Sequence, residues 1–336
     1  MLPGKVPPEI LEKHVFTHLG KQHPDLILGP AMGQDASLIR IGDRITVAAT
    51  DPITGSIEDI GWLAVHVNAN DIATFGVRPS WFLCSIMLPE GTGVHDIEKI
   101  MKQIDEAAQG LGIGIAGGHT EITAGLDRPI IAGFMLGVTE EGQYVTSSGA
   151  QPGDSIIMTK SIAIEGTAIL ATEGYDVLSE TLPPELLSQG KSLRANISVV
   201  EEGIAAFETG YITAMHDPTE GGLAGGLHEL CDASSVGCEI EYNSIPIENS
   251  TKAICERLEI NPLRLISSGC MLITCKQEHT SSVIEKIEEA GVGASVIGKI
   301  VTDRTRRVLI MDERTQEFDY PETDELWLGL KKISSS

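Results

Sequence analysis

A helix start followed at once by four glycines constrains the chain most, in the segment Thr213–Leu230, TAMHDPTEGGLAGGLHEL. The spacing predicts Asp217 as the N-cap, because its carboxylate can accept from free backbone N–H groups of the first turn. Pro218 and Glu220 then fall at the first and third helical positions, where both are favourable. The leucines that follow have the spacing of one buried helix face.

The glycines do not fit a plain packing helix, since each costs a helix interior roughly 1 kcal/mol relative to alanine. Their presence indicates that something approaches this backbone closely. A second element of the protein would explain them, and so would a ligand, because a helix N-terminus with bare N–H groups favours an anion. Both explanations remain open for this segment, whose glycines are Gly221, Gly222, Gly225 and Gly226.

The balance of charge excludes some classes of partner. The chain has 336 residues, 48 of them acidic and 24 basic, which gives a net charge of −24. Nucleic acids and anionic membranes require basic patches, so neither is expected as a partner. If the ligand is a polyanion, metal cations and backbone N–H groups must supply most of the positive charge.

Targeting signals and cysteine motifs are not evident. The N-terminus lacks a basic region followed by a long apolar run, and no 18-residue apolar segment occurs, so we expect a cytoplasmic protein without a membrane span. The six cysteines form no C-x-x-C pair, which favours reduced, buried thiols over a zinc site or a disulfide framework.

Alternating and helical patterns predict two α+β domains, each with a sheet covered by helices, divided near residue 150 at the turn signal QPGD. A single α/β domain is the structural alternative. The segment VHDIEKIMKQIDEAAQGLG of the first domain predicts an amphipathic helix ended by glycine. Within the second domain we predict a loop near residues 179–189 and a long helix near residues 192–208.

Four short polar clusters in the first half stand at predicted strand ends or helix turns. Each has a plain reading as a turn or an exposed helix position. Together they supply carboxylates and an amide beside glycine-rich loops, a composition suited to Mg²⁺ held by oxygen ligands while backbone N–H groups face phosphates. The clusters contain Gly33 and Asp35 in GPAMGQDAS, Asp51 in ATDP, Asn70 and Asp71 in NANDIATF, and Gly117, Gly118, His119, Thr120 and Glu121 in AGGHTEIT.

The ordered series GQDAS, TD, NDIATFGVRP, GGHTEIT, PGDSIIMTKSIAIEGTAIL and HDPTEGGLAGGLHE resembles the superfamily of aminoimidazole ribonucleotide (AIR) synthase, HypE, thiamine-monophosphate kinase and selenophosphate synthetase. The resemblance runs from about residue 29 to 300 and implies a two-domain PurM-like α+β fold. In it an N-terminal domain, residues 1–150, forms a dimer barrel with a second subunit. A C-terminal α/β sandwich domain, residues 151–336, completes a cleft for ATP and Mg²⁺.

The same resemblance implies roles for individual residues. Asp35, Asp51 and Asp71 would bind Mg²⁺ or phosphate, with Asn70 as a helper. The nucleotide would contact Gly33, the loop of Gly117, Gly118, His119 and Thr120, the lysine Lys160, and Gly221 and Gly222. His119 and Asp217 would take part in catalysis.

Within the superfamily, IAIEGTAILA and the Asp217 segment look most like HypE, which acts through a C-terminal cysteine. The printed sequence ends LWLGLKKISSS and its last cysteine is Cys275, so we expect that reaction to lack its acceptor. The leading hypothesis is a homodimeric, ATP- and Mg²⁺-dependent enzyme that phosphorylates an oxygen of a small-molecule substrate. The alternatives are a maturation or assembly factor that acts through a partner protein without its own catalysis, and a small-metabolite kinase.

Overall fold

The computed structural model describes residues 4–54, 58–312 and 314–335, whose strands fall into two separate sheets. The N-terminal sheet has the order β1-β2-β3-β7-β5-β6, with β4 paired to β7. All its neighbours are antiparallel except β5 and β6. Its strands are β1 (Leu26–Leu28), β2 (Ser37–Ile41), β3 (Arg44–Ala49), β4 (Pro52–Ile53), β5 (Pro79–Leu88), β6 (Gly114–Ile122) and β7 (Ile130–Thr139).

Helices cover one face of this sheet. The helix α2 (Ile60–Ala73) is buried along its whole length except at Trp62, because the sheet, α3 (Val94–Leu111) and the C-terminal half all pack around it. The predicted amphipathic helix at α3 is confirmed, and it ends at Gly112, which takes the left-handed conformation (φ 70°) that glycine adopts without strain.

The C-terminal sheet also has seven strands, in the order β14-β13-β10-β12-β8-β11-β9. Only β10 and β13 are parallel. The central strand β8 is buried at every residue, as expected for a strand covered on both faces. The strands are β8 (Asp154–Thr159), β9 (Ile212–His216), β10 (Gly237–Glu241), β11 (Leu272–Lys276), β12 (Ala294–Val301), β13 (Arg307–Met311) and β14 (Arg314–Glu317).

The remaining helices lie mostly around the C-terminal sheet. They are α1 (Pro8–Ile10), α4 (Ile164–Glu173), α5 (Tyr175–Leu178), α6 (Pro184–Ser192), α7 (Val200–Glu208), α8 (Gly222–Ser234), α9 (Asn249–Leu258), α10 (Thr280–Glu289) and α11 (Glu325–Ser334). Two sequence predictions are wrong here. The loop predicted near 179–189 is largely α6, and the long helix predicted near 192–208 is a 3₁₀ turn at Leu193–Asn196 followed separately by α7.

The apolar core joins the two halves. One cluster of buried residues contains the inner face of the N-terminal sheet together with Ile157, Met215 and Ile273 of the C-terminal sheet. A second cluster lies on the opposite face of the C-terminal sheet, where Ile156 and Met158 of β8 belong to it. Successive side chains of β8 therefore pack into different cores.

The outer face of the N-terminal sheet carries exposed apolar side chains. They come from three adjacent strands and include Trp81, Ile115, Phe134 and Val138. The strand β6 is exposed at every residue and forms one edge of the sheet. Among the described residues, no helix is both long and apolar enough to cross a membrane.

Candidate functional site

Acidic side chains from both halves meet where the two sheets are joined. Asp51 follows β3 and Asp71 lies in α2, whereas Asp217 follows β9 of the C-terminal sheet. Asp35 stands in the loop before β2. The charges of these four carboxylates act on one another, so the chain concentrates like charge in one buried region. The sequence predicted each of these residues for the site.

Asn68 holds Asp51 in place, a role that the sequence analysis missed. Its Oδ1 accepts from the Asp51 N–H at 2.9 Å and its Nδ2 donates to the Asp51 carbonyl at 3.1 Å. A Cβ on Gly133 would lie 2.3 Å from the Asn68 amide nitrogen, so glycine is required beside this amide. The polar residue inside an apolar helix was the signal that could have identified Asn68.

Asn70 faces the other half of the molecule. Its Nδ2 donates to the Ile197 carbonyl and its Oδ1 accepts from the Val199 N–H, each at 2.9 Å. Both polar ends of the amide therefore bind backbone groups of the other half. The expected role of Asn70 as a helper at the metal or nucleotide stays a prediction.

His216 joins Asp35 to Glu229 and was also missed. Its Nδ1 lies 2.8 Å from Asp35 Oδ1, and its Nε2 lies 3.0 Å from Glu229 Oε2. Burial alone would lower the pKa of His216, but the two carboxylates outweigh it and raise the pKa to about 10. Lys5 Nζ reaches Glu229 Oε1 at 3.3 Å. The Glu229 pKa falls to about 2, because Lys5 and His216 overcome the effect of its burial.

Asp217 has no such support. Both of its carboxylate oxygens are buried and lack a hydrogen-bond partner among the described residues. Burial, followed by the charges of Asp35 and Asp51, raises its pKa to about 8. Burial likewise raises the Asp51 pKa to about 6, with Lys5 opposing the shift.

Asp71 is subject to the same forces. Its pKa lies well above the ordinary range, because burial and the charges of Asp51 and Asp217 all oppose ionisation. Four carboxylates offer the hard oxygen donors that Mg²⁺ prefers. In the part of the chain that the structure describes, however, no three His, Cys, Asp or Glu side chains converge as ligands of one ion.

The helix at the opening glycines begins later than predicted. Gly221 is the N-cap of α8, with φ 81°, and Asp217 makes no cap hydrogen bond. The N-cap prediction for Asp217 is therefore wrong. The leucines of the predicted apolar face, Leu223, Leu227 and Leu230, are buried as expected.

Protein backbone approaches these glycines closely. A Cβ on Gly222 would lie 2.6 Å from the Leu265 carbonyl oxygen, and the Gly221 N–H donates to Asp324 Oδ2 at 2.6 Å. Gly33 behaves similarly, since its Cβ would lie 2.4 Å from the carbonyl oxygen of Glu229. Packing between elements thus accounts for these glycines, and the predicted nucleotide contacts of Gly33, Gly221 and Gly222 stay predictions.

Lys160 is paired with a buried carboxylate. Its Nζ lies 2.5 Å from Glu202 Oε1 and donates to the Ser198 carbonyl at 2.5 Å. Glu202 is almost completely buried, so removing the lysine would leave an uncompensated buried charge. The predicted phosphate contact of Lys160 stays a prediction.

The predicted loop of Gly117, Gly118, His119 and Thr120 is part of strand β6. His119 pairs in register with Ser85, on the outer face of the sheet, whereas the buried Cys84 and Ile86 point toward the helices. The His119 side chain is exposed and contacts Glu121 at 3.2 Å. Within one chain, His119 is therefore on the face opposite α2 and away from Asp71. Its predicted catalytic role stays a prediction that requires a second copy of the chain.

A cavity of about 320 Å³ opens beside Asp51, between the two halves. The N-terminal half contributes residues 51–54, and the C-terminal half contributes Glu165, Ser268 and Asp324. Asp324 accepts hydrogen bonds from the backbone N–H groups of Gly221, Ile266 and Leu326. Neither Glu165 nor Asp324 was identified from the sequence.

Two family models match the chain. The model of the AIR synthase related protein N-terminal domain matches residues 33–139, and that of the C-terminal domain matches residues 151–310. The predicted division near residue 150 falls between these matches and stays a prediction.

Curated relatives cover most of the sequence. A putative hydrogenase expression/formation protein of Methanocaldococcus jannaschii is 32% identical over 307 residues, which are 88% of this chain and 88% of the relative. Carbamoyl dehydratase HypE of Azotobacter vinelandii is 32% identical over 255 residues, covering 74% of this chain and 72% of the relative. The predicted similarity to HypE is confirmed.

Solved structures share the fold. HypE in a HypE–HypF complex superposes with a TM-score of 0.76 at 23% identity, covering 93% of this chain and 99% of that chain. HypE in complex with ATP gives a TM-score of 0.72 at 22% identity, covering 96% and 97%. The predicted two-domain PurM-like α+β fold is thereby confirmed.

Proposed function

This chain belongs to the AIR synthase related protein family, and we propose that it is an ATP- and Mg²⁺-dependent enzyme that phosphorylates an oxygen of a small molecule. The observation that carries this proposal is Asp217, a buried carboxylate with neither oxygen paired among the described residues. Isolated buried charge is costly, and a bound cation removes that cost.

Mg²⁺ fits the chemistry of the donors. Asp51, Asp71 and Asp217 would hold the ion, and Asp35 can join them through lone pairs that His216 leaves free. Burial and neighbouring charges raise the pKa of all three carboxyl groups, and a bound divalent cation would favour their ionised forms and displace their protons. When bound, Mg²⁺ would neutralise charge on the nucleotide phosphates, which matters in a chain of net charge −24.

The residues of the chain itself supply binding and orientation. His216 fixes Asp35, and Asn68 fixes the backbone of Asp51, so two of the acidic groups are held by neighbours. The cavity beside Asp51 is the proposed place of the acceptor molecule, because it adjoins the carboxylates and lies between the halves.

The nucleotide assignment is supported by the solved HypE complex with ATP, which has the same fold. Two polar contacts expected from the sequence are left out of this proposal. Lys160 pairs with Glu202, and the Gly221 N–H is taken by Asp324, so neither is counted among the phosphate contacts.

Association with other chains is part of the proposal. The exposed edge strand β6 and the apolar side chains beside it are suited to pairing with a second copy, which would form a homodimer. One curated relative is a putative hydrogenase expression/formation protein, the solved HypE is titled a hydrogenase maturation protein, and HypE has been solved with HypF. We therefore place this chain in a maturation process that involves a partner protein.

The test is Mg²⁺-dependent ATP turnover by the purified full chain, with water or added small amides as acceptors and ADP as the measured product. We expect turnover that requires Mg²⁺ and is lost in Asp217→Asn, while the exposed control Asp176→Asn retains it. Failure to bind or hydrolyse ATP with Mg²⁺ would reject the proposal in favour of a non-catalytic assembly factor.

A further inference from the structure

The cavity beside Asp51 is unusually acidic for a pocket that adjoins a proposed phosphate site. Among the described residues that line it, the carboxylates Asp51, Glu165, Glu220 and Asp324 face a single basic side chain, that of Lys5. Lys5 directs its ammonium group to Glu229, which does not line the cavity. An anionic guest would therefore meet repulsion on several sides.

Most of these carboxylates already have donors. Asp324 accepts from three backbone N–H groups, and Glu220 Oε2 accepts from the Lys5 backbone N–H at 2.5 Å. Asp51 belongs to the proposed metal site. Glu165 is different, because its Oε2 is buried and has no partner among the described residues.

Glu165 offers the cavity a prepared acceptor. It lies in α4, is 4% exposed and lines the cavity, and the neighbouring Ser268, 1% exposed, favours its ionised form. A buried carboxylate oxygen without a donor is costly unless a guest supplies an N–H group.

The charges around Glu165 favour a cation over a neutral donor. Burial raises the Glu165 pKa to about 7, Ser268 opposes the shift, and Asp324, Glu220 and Asp51 add to it. Every charged group that acts on Glu165 in this way is acidic. A positive guest would stabilise the ionised carboxylate, which a neutral amide cannot do to the same degree.

Much of the remaining wall is apolar and includes Ile53, Val67, Ile169, Ile266 and Leu326. Thr54 and Thr219 also line it, and Trp327 Nε1 is a buried N–H without a partner among the described residues. A guest would therefore combine a nonpolar body with a compact cationic end, and a cavity of about 320 Å³ has room for a small molecule.

We infer that this cavity takes a small organic cation, an amidine or protonated amine, whose N–H groups bind Glu165. This inference rests on the proposed function, since the same cation would carry the oxygen that the ATP-dependent site phosphorylates. Glu165 is the residue that determines specificity.

The experiment compares three probes of the same shape and different charge. Benzamidine, benzamide and benzoate are titrated calorimetrically into the full chain near neutral pH, with and without Mg²⁺ and a non-hydrolysable ATP analogue. We expect benzamidine to bind at least about tenfold more tightly than benzamide, and benzoate not to bind. Glu165→Gln should remove this preference, Ser268→Ala should weaken it, and the exposed control Glu180→Gln should keep it.

Equal binding of benzamidine and benzamide, binding of none of the three probes, or an unchanged preference in both Glu165→Gln and Ser268→Ala would overturn the inference. Ser268→Ala retains all charges and guards against a folding defect in the other variant. Binding of the ATP analogue is evaluated separately from binding of the three probes. If it fails to bind while benzamidine is still preferred, the proposed function fails and the charge preference of the cavity stands.

Discussion

Two groups of buried carboxylates lie side by side in this molecule and differ in what neutralises them. Asp35 and Glu229 share the imidazole of His216, and Glu229 also meets Lys5. Asp217 has no partner for either oxygen among the described residues. The pKa of Glu229 falls to about 2, whereas that of Asp217 rises to about 8.

The contrast shows that burial alone does not determine the role of an acidic residue. A carboxylate with a cation of the chain beside it ties two elements together and is structural. A carboxylate left without one stores unfavourable electrostatic energy that an external cation can release. Asp51 and Asp71 belong with Asp217, since burial and neighbouring charges raise the pKa of both.

The largest expected effect comes from removing the charge of Asp217. Asp217→Asn should lower Mg²⁺-dependent ATP turnover by about 100-fold or more, because a charge that binds the cation is lost. The same change should raise the thermal unfolding midpoint by about 2–4 °C, since folding no longer requires a buried carboxyl group to take up a proton. ATP turnover and calorimetric unfolding of the same preparation measure the two effects. A variant that is less stable than the parent and fully active would contradict the distinction between paired and unpaired carboxylates.

The paired group should respond in the opposite sense. His216→Ala leaves Asp35 and Glu229 buried without their shared imidazolium, so we expect a loss of about 3–5 kcal/mol in the free energy of unfolding. Urea denaturation of the variant, with the exposed control His95→Ala, measures this loss. A cost close to that of the control would show that the His216 pairs do not stabilise the fold.

Raising the pH should destabilise the chain when Mg²⁺ is withheld. Asp217 keeps its proton in the folded state up to a pKa of about 8 but loses it near 3.8 when unfolded, so its contribution is lost as the pH rises through this range. The raised His216 pKa, about 10, acts in the same direction at higher pH. We expect a decrease of about 1–3 kcal/mol between mildly acidic and mildly alkaline pH, partly reversed by Mg²⁺. Denaturation curves that do not change over this range would contradict the assignment.

The smallest effect is expected at the pair of Lys160 and Glu202. Replacing both partners, Lys160→Met with Glu202→Gln, should change the affinity for ATP by less than about twofold, because the pair is structural. A lysine bound to phosphate would give a loss of about tenfold or more. Fluorescence titration with a labelled ATP analogue distinguishes the two, and the larger loss would restore the phosphate role.

The sequence allowed prediction of features whose cause is local. The apolar spacing of α3 and the glycine that ends it lie within one segment of the sequence. The fold was predicted from the HypE-like series of motifs. The predicted N-cap at Asp217 failed because Gly221 and Gly222 take positive φ angles and delay the helix. That geometry depends on the Leu265 backbone, far away in sequence.

The missed site residues share a different cause. His216, Glu229 and Asn68 act through partners on separate elements. Glu165 is important because its Oε2 has no hydrogen-bond partner among the described residues. No spacing rule reveals such pairs or their lack. The carboxylates Asp35, Asp51, Asp71 and Asp217 could be named from motifs, but the sequence did not show which of them the chain itself neutralises.

The most direct test is calorimetric titration of the full chain with Mg²⁺ and a non-hydrolysable ATP analogue in two buffers of different ionisation enthalpy. If unpaired carboxylates form the cation site, binding requires Mg²⁺ and releases protons near neutral pH, chiefly from Asp217 and Asp71. Asp217→Asn should reduce both the affinity and the number of protons released. Nucleotide binding that is independent of Mg²⁺, or Mg²⁺ binding with no proton release, would contradict the account.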